Sequence, residues 1–395
     1  MPEALMFARS SALSRCHSTL ILLILRVNSM LETERSVVMS LVVTMLVGLL
    51  GGTFAFYLEL PLPWLLGSLL AAVIVTKKIP IVKAPPKKFS RAMRILLGVA
   101  LGGSVAESIV SIDSSITVSL VSAIAFVVLI LLFGSYYFRR LANFSALDAF
   151  MSALPGGLTF LVSMAGDLGN RFPKIALIHT VRMVTLIFVF SLFSYFLGVK
   201  EGMSHATLES AFNVPLDKGL WQVLLLALIS WLVANKIKVA GGDIMFPMII
   251  AAFIYGNGWV EVPMPELIIT LSMITFGAVI GCKIAAGSAE ESGQQVRASL
   301  IFTIISLSLA LVIAIGLGEA FEKSYFLFFL ALAPGSIPEM CLIAMAMGLD
   351  VGFVALIHTC RYLFVMFIGA LGFNILSANE KDKLVGGSTG VSAGL

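Results

Sequence analysis

The sequence predicts an all-α polytopic membrane protein made of two inverted repeats, each with about five transmembrane helices plus one re-entrant Pro-Gly hairpin. Three observations lead there: an apolar composition, an internal duplication, and a reversal of loop charge between the two copies. Of the 395 residues, 59% are apolar and 12% charged, and the mean hydropathy is +1.03, too apolar for a water-facing surface. Unbroken apolar runs at Val37 to Leu58, Ile116 to Phe138, Ile175 to Val199 and Val351 to Ser377 each reach the roughly 20 residues needed to cross about 30 Å of hydrocarbon. These runs are continuous rather than alternating, which excludes barrel strands.

In chain order, residues 1–36 carry Arg9, Arg15 and a run "LILLIL" that is too short to span and lacks a small-residue cleavage site. They are expected to form a cytoplasmic N-terminal extension. Residues 37–199 form the first membrane repeat, 200–218 an extracytoplasmic linker, 219–378 the second repeat and 379–395 a cytoplasmic tail. The duplication defines these bounds. Residues 155–182 align without a gap on 334–361, an offset of 179, with 10 identities in 28 positions. They include Pro155/Pro334, Gly156/Gly335, Gly169/Gly348 and the blocks "ALIHTVR" and "ALIHTCR", which end in Arg182 and Arg361. The same offset pairs Gly98 with Gly277 and Gly102 with Gly281.

Loop charge orients the copies. The loop region after Pro63 carries Lys77, Lys78, Lys83, Lys87, Lys88, Arg91 and Arg94, which marks it as cytoplasmic. Its counterpart after Pro247 carries Glu261 and Glu266 without Lys or Arg, and the preceding loops reverse in the same sense, acidic near Glu59 and basic at Lys236 and Lys238. Equivalent loops on opposite faces require an odd number of crossings per repeat, yet each repeat has six apolar stretches. The stretch that fails to cross is the one broken by Pro-Gly, at 146–169 and again at 326–348, because proline removes a backbone donor and glycine loosens the helix. Arg139, Arg140, Arg171 and Lys174 flank the first hairpin, and Glu319 and Asp350 flank the second, in keeping with entry from opposite sides. The alternative is a kinked span in each copy, giving twelve helices.

Non-helical backbone at membrane depth is tolerated only against protein or a polar cavity, so the hairpin tips mark the expected substrate and ion site. Its residues are Pro155, Gly156, Gly157, Thr159 and Ser163 in the first hairpin and Pro334, Gly335, Ser336 and Glu339 in the second. A carboxylate at Glu339 has no obvious structural purpose inside such a segment, and its repeat counterpart is Phe160. The hydroxyls suit a solute or sodium, or else back-bond to their own helices. On the helix after each hairpin, His179, Thr180 and Arg182, and likewise His358, Thr359 and Arg361, share one face. Two roles are open to them: anion binding or proton relay at the site, or bracing of the preceding hairpin. Bracing is the role expected here. Asp243 and Lys283 sit near segment ends, where charge is ordinary.

Other classes fit poorly. The four cysteines, Cys16, Cys282, Cys341 and Cys360, show no metal or haem spacing, and the histidines have no metal-binding motif, so neither a metal nor another cofactor is expected and the chain does not read as an enzyme. The net charge of +4 collects in short loops and indicates orientation, not nucleic-acid binding.

Taken together, "LPLPWLLG", "ALPGGL…HTVR" and "APGSIPEM…ALIHTCR" resemble the AbrB-type bacterial membrane family, over about residues 37 to 377. That resemblance implies a multi-pass protein of the bacterial inner (cytoplasmic) membrane, of a family described as transporters or regulators of gene expression and also labelled ammonia monooxygenases. A monooxygenase would need a metal site, for which no ligand set is legible. The function expected is secondary transport of a small solute, best an organic anion, driven by a proton or sodium gradient; the alternative is an integral membrane regulator acting on gene expression indirectly. The partners expected are the solute, H+ or Na+ and the lipid bilayer, with no nucleic acid. A homo-oligomer is compatible with this reading.

Overall fold

The computed structural model describes residues 36–60, 62–110, 114–156, 161, 164–196, 220–237, 239, 241–260, 264–286 and 293–389. The expected N-terminal extension up to residue 35, the linker 200–218 and residues 390–395 lie outside them. Every regular element among the described residues is helical. The first half contains α1 (Ser36–Tyr57), α2 (Pro63–Thr76), α3 (Lys87–Val110), α4 (Ser114–Leu141), α5 (Ala146–Ala153) and α6 (Phe172–Phe196). The second contains α7 (Leu220–Lys236), α8 (Gly242–Gly256), α9 (Glu266–Ala286), α10 (Gly293–Phe321), α11 (Tyr325–Leu332), α12 (Ile337–Ala346) and α13 (Val351–Thr389). A helical turn at Ala165–Leu168 and a 3-10 turn at Gly169–Arg171 lead into α6.

Seven of these helices, α1, α3, α4, α6, α9, α10 and α13, are long and apolar enough to cross a membrane. This is the architecture of a helical membrane protein. Large apolar side chains such as Leu50, Leu132, Leu224 and Val312 stand exposed on the outside of the bundle, where lipid would cover them without cost. The last helix continues without a break past residue 378 to Thr389, so no change of backbone marks the expected start of the tail.

In both Pro-Gly stretches the helix ends at the residue before the proline. Residue 154 and its repeat equivalent, residue 333, both leave the helix just before a proline: Leu154 has φ −56 and ψ 120, and Ala333 has φ −51 and ψ 138. The proline ring crowds the residue before it and disfavours the helical conformation there. Gly156 then turns the chain with φ +72, a left-handed conformation that a side chain would strain. With 8 residues each, α5 and α11 are only about 12 Å long at 1.5 Å per residue, far short of a hydrocarbon core of about 30 Å. On the return from the second turn, α12 starts at the N-cap Ser336, with Pro338 in its first turn, where a missing N–H costs nothing.

The halves are interlocked. On α3, Gly98 and Gly102 receive the backbone of α8, so that a Cβ on Gly98 would lie 2.5 Å from the Ile244 carbonyl. On α9, Gly277 and Gly281 receive α2 in the same way, and a Cβ on Gly277 would collide with Ser68 and the Leu65 carbonyl. Each small-xxx-small helix thus packs against the proline helix of the opposite half, the close backbone approach by which membrane helices gain dispersion contacts. The second hairpin is likewise seated on the first half: Phe190 and Phe193 of α6 lie against Phe326 and Phe329 of α11, the Phe190–Phe329 centroids being 4.8 Å apart.

Candidate functional site

The two His-x-x-Arg pairs make matching contacts, each onto the hairpin that precedes it. His179 Nε2 lies 2.9 Å from the Met151 carbonyl and His358 Nε2 lies 3.0 Å from the Leu330 carbonyl, positions that differ by the repeat offset. A carbonyl only accepts, so Nε2 carries the proton and Nδ1 the lone pair. That lone pair receives Nη2 of Arg182 at 2.7 Å, and of Arg361 at 2.7 Å in the second copy. Each histidine is therefore the neutral Nε2–H tautomer, held between a carbonyl and a guanidinium. All four side chains are buried. Thr180 and Thr359 are not part of this contact, because each hydroxyl donates to the carbonyl four residues back, Ala176 and Ala355.

The arginines then diverge. Arg361 donates to three carbonyls at the second turn: Nη1 to Leu332 at 3.1 Å and Ala333 at 2.5 Å, and Nη2 to Gly335 at 2.7 Å. The helix break takes these carbonyls out of the regular helical pattern, and the Ala333 carbonyl also accepts from the Gly335 N–H at 2.7 Å. Arg182 makes one such bond, Nη2 to Leu154 at 2.8 Å, and its buried Nε and Nη1 have no partner among the described residues.

The hairpin tips meet. A Cβ on Gly156 would stand 3.0 Å from the Gly335 carbonyl and 3.9 Å from Arg361 Nη2. Between the tips lies a cavity of about 10 Å³, lined by Gly156, His179, Arg182, Met183, Pro334, Gly335 and Ser336, space for about one water molecule. Pro155 is buried beside it. Gly157, Thr159, Phe160 and Ser163 lie outside the described residues.

Glu339, in the first turn of α12, is buried and one of its oxygens, Oε2, has no partner. The positive charges that act on it are Lys283 of α9 and Arg94 of α3. Arg94 is in turn paired with Asp243 of α8, Nη2 to Oδ2 at 2.7 Å, and the charge of Asp243 reaches Tyr362 of α13, whose buried hydroxyl has no partner. The charged groups that act on Glu339 are thus not among those that line the cavity of Arg182. Among the described residues no three His, Cys, Asp or Glu side chains group as metal ligands.

The family model described as "Transition state regulatory protein AbrB" matches residues 64–377, from α2 through most of α13. The chain belongs to the AbrB family. Among its relatives, "Putative regulator AbrB" of Escherichia coli (strain K12) is 21% identical over 315 residues, 79% of this chain and 89% of the relative. "Uncharacterized protein YhjN" of Bacillus subtilis (strain 168) is 20% identical over 362 residues, 84% of this chain and 93% of the relative. The matched AbrB region includes both broken helices and both His-x-x-Arg pairs.

Sequence reasoning about this AbrB chain missed Tyr362 and the Arg94–Asp243 pair. Their only signal was polarity in otherwise apolar helices; Asp243 is 149 residues from Arg94, and no repeat offset joins them.

Proposed function

We propose that this AbrB-family protein is a secondary transporter of a small organic anion in the bacterial inner membrane, not an enzyme, coupled to a proton or sodium gradient. The observation that carries the reading is the meeting of two broken helices, tip to tip, in the buried centre of the bundle, with an acidic side chain one turn away. Interrupted helices at the interface of two repeats are how transporters expose backbone groups and helix ends to a solute at the bilayer midplane. In the proposed topology α1 to α4 and α6 cross in the first half, α7 to α10 and α13 cross in the second, and the hairpins α5 and α11–α12 enter from opposite sides. Ten crossings result, with the loop after α2 inside and the loop after α8 outside, as their charges favour.

Glu339 is the proposed coupling residue. The carboxylate has an unpartnered oxygen in a dry setting, and the groups acting on it are cations, Lys283 and Arg94. Burial favours the neutral, protonated carboxyl while Lys283 and Arg94 favour the carboxylate, so Glu339 is placed to take up and release a proton, the coupling ion proposed here. The histidines are poor carriers, because a second proton on Nδ1 of His179 or His358 would point at an arginine N–H.

The test is flux: purified protein in proteoliposomes, with radiolabelled organic acids supplied under an imposed pH or sodium gradient. Gradient-driven accumulation of an acid supports the reading; full exchange inertness across an untargeted set of acids consumed or accumulated by a deletion strain would remove it. The family description and the name of the Escherichia coli relative favour a second reading, a membrane regulator of gene expression. Altered expression in the deletion strain with unchanged solute fluxes would decide for that one.

A further inference from the structure

We propose that Arg182 is the anion-binding residue of the site, a role its repeat partner Arg361 does not share, and that the group it receives between the hairpin tips is a carboxylate. The proposal rests on the transporter reading for its purpose but on local geometry for its substance.

A guanidinium has five N–H donors. Those on Arg361 Nη1 and Nη2 are spent on the Leu332, Ala333 and Gly335 carbonyls and on His358. On Arg182, Nη2 serves Leu154 and His179, while Nε and Nη1, three donors of the five, are buried without a partner. A native protein rarely leaves even one buried donor unmet, and an unmet charged donor costs more than a neutral one. Water alone does not resolve this, because the charge is also unmatched. Arg182 and Arg361 act electrostatically on one another, both are about 2% exposed, and among the described residues neither is paired with a carboxylate. Two cations that act on one another in a low-dielectric interior are stabilised by an anion nearby.

The surroundings fit one. Arg182 lines the cavity between the tips, together with Gly156, Gly335 and Ser336. Ser336 is the N-cap of the 10-residue α12, and its side chain makes no capping bond. Its hydroxyl and the positive end of the helix are therefore available to the same anion. Glu339, which would repel an anion, does not line this cavity, and the charges that act on it are those of Lys283 and Arg94. The cavity of about 10 Å³ is too small for an acid as it stands, so binding requires the Gly156 and Gly335 tips to part. That ties occupancy by the solute to hairpin movement.

The experiment uses the full chain in detergent, with sodium formate, acetate, pyruvate, lactate and benzoate as probes and acetamide, lactamide and benzamide as neutral counterparts. Thermal midpoint against concentration gives an apparent Kd. At least one carboxylate is expected to raise the midpoint where its amide does not, and Arg182→Gln is expected to weaken that Kd by about tenfold or more, with Ser336→Ala weakening it by less. Ser336→Ala stands in if the Arg182→Gln protein fails to fold. No response to any carboxylate, an equal response to the amides, or an unchanged Kd in Arg182→Gln, or in Ser336→Ala where Arg182→Gln does not fold, overturns the assignment. Carboxylate binding through Arg182 without flux in proteoliposomes would leave the site standing and remove the transport reading instead.

Discussion

Arg361 Nη2 donates to the Gly335 carbonyl at 2.7 Å across 26 residues, fixing the second hairpin turn to the helix that follows it. The same carbonyl is the atom that a side chain on Gly156 would strike. One hydrogen bond therefore holds the second tip where the first tip must meet it.

Replacing Arg361 by Met keeps much of the volume and removes all of the donors. The Leu332 and Gly335 carbonyls would lose the donors that Arg361 supplies and Ala333 would keep only the Gly335 N–H, and an unsatisfied buried acceptor costs about 1–3 kcal/mol. The Arg361→Met protein should have a thermal midpoint several degrees below the parent, with reduced yield in the membrane. Arg182→Met, which releases one carbonyl, that of Leu154, besides His179 Nδ1, should lower it less. Equal losses in a denaturation series would contradict the difference in bonding.

Glu339→Gln exchanges acid for amide at nearly constant volume. Because Oε2 of the parent has no partner, little folding energy is at stake, and the variant should be as abundant as the parent. Gradient-driven accumulation of solute should fall at least tenfold, since an amide carries no exchangeable charge. Full accumulation by this variant would remove Glu339 from the coupling step.

Gly156→Ala places a Cβ 3.0 Å from the Gly335 carbonyl at a residue with φ +72. The left-handed conformation alone costs a residue other than glycine about 1–2 kcal/mol. Flux should fall more than stability, because the added methyl sits where the tips approach. Gly169→Ala, also at positive φ but with nothing within 4 Å, is the control and should affect stability only.

Topology is tested with single cysteines in a chain whose own four are replaced. A cysteine at Lys87 should be labelled by an impermeant thiol reagent only after lysis, and one at Asn257 in intact spheroplasts. Both labelled from the same side would exclude inverted halves.

Much of this protein was legible in its sequence because the relevant physics is local or periodic. Apolar runs mark spans, since hydrocarbon tolerates no unpaired backbone. Leu154 and Ala333 leave the helix because a proline follows each. The offset of 179 predicted that His179 and His358 would play equal parts, and their carbonyl partners Met151 and Leu330 differ by that offset. Tertiary structure decided the rest. Whether a motif residue is spent or free depends on which acceptors the fold brings within about 3 Å, so identical His-x-x-Arg words yield a saturated Arg361 and an unsaturated Arg182. Likewise, Glu339 finds Lys283 and Arg94 only because α3, α9 and α12 converge. No spacing in a linear chain encodes that convergence, since it results from the packing of helices far apart in sequence.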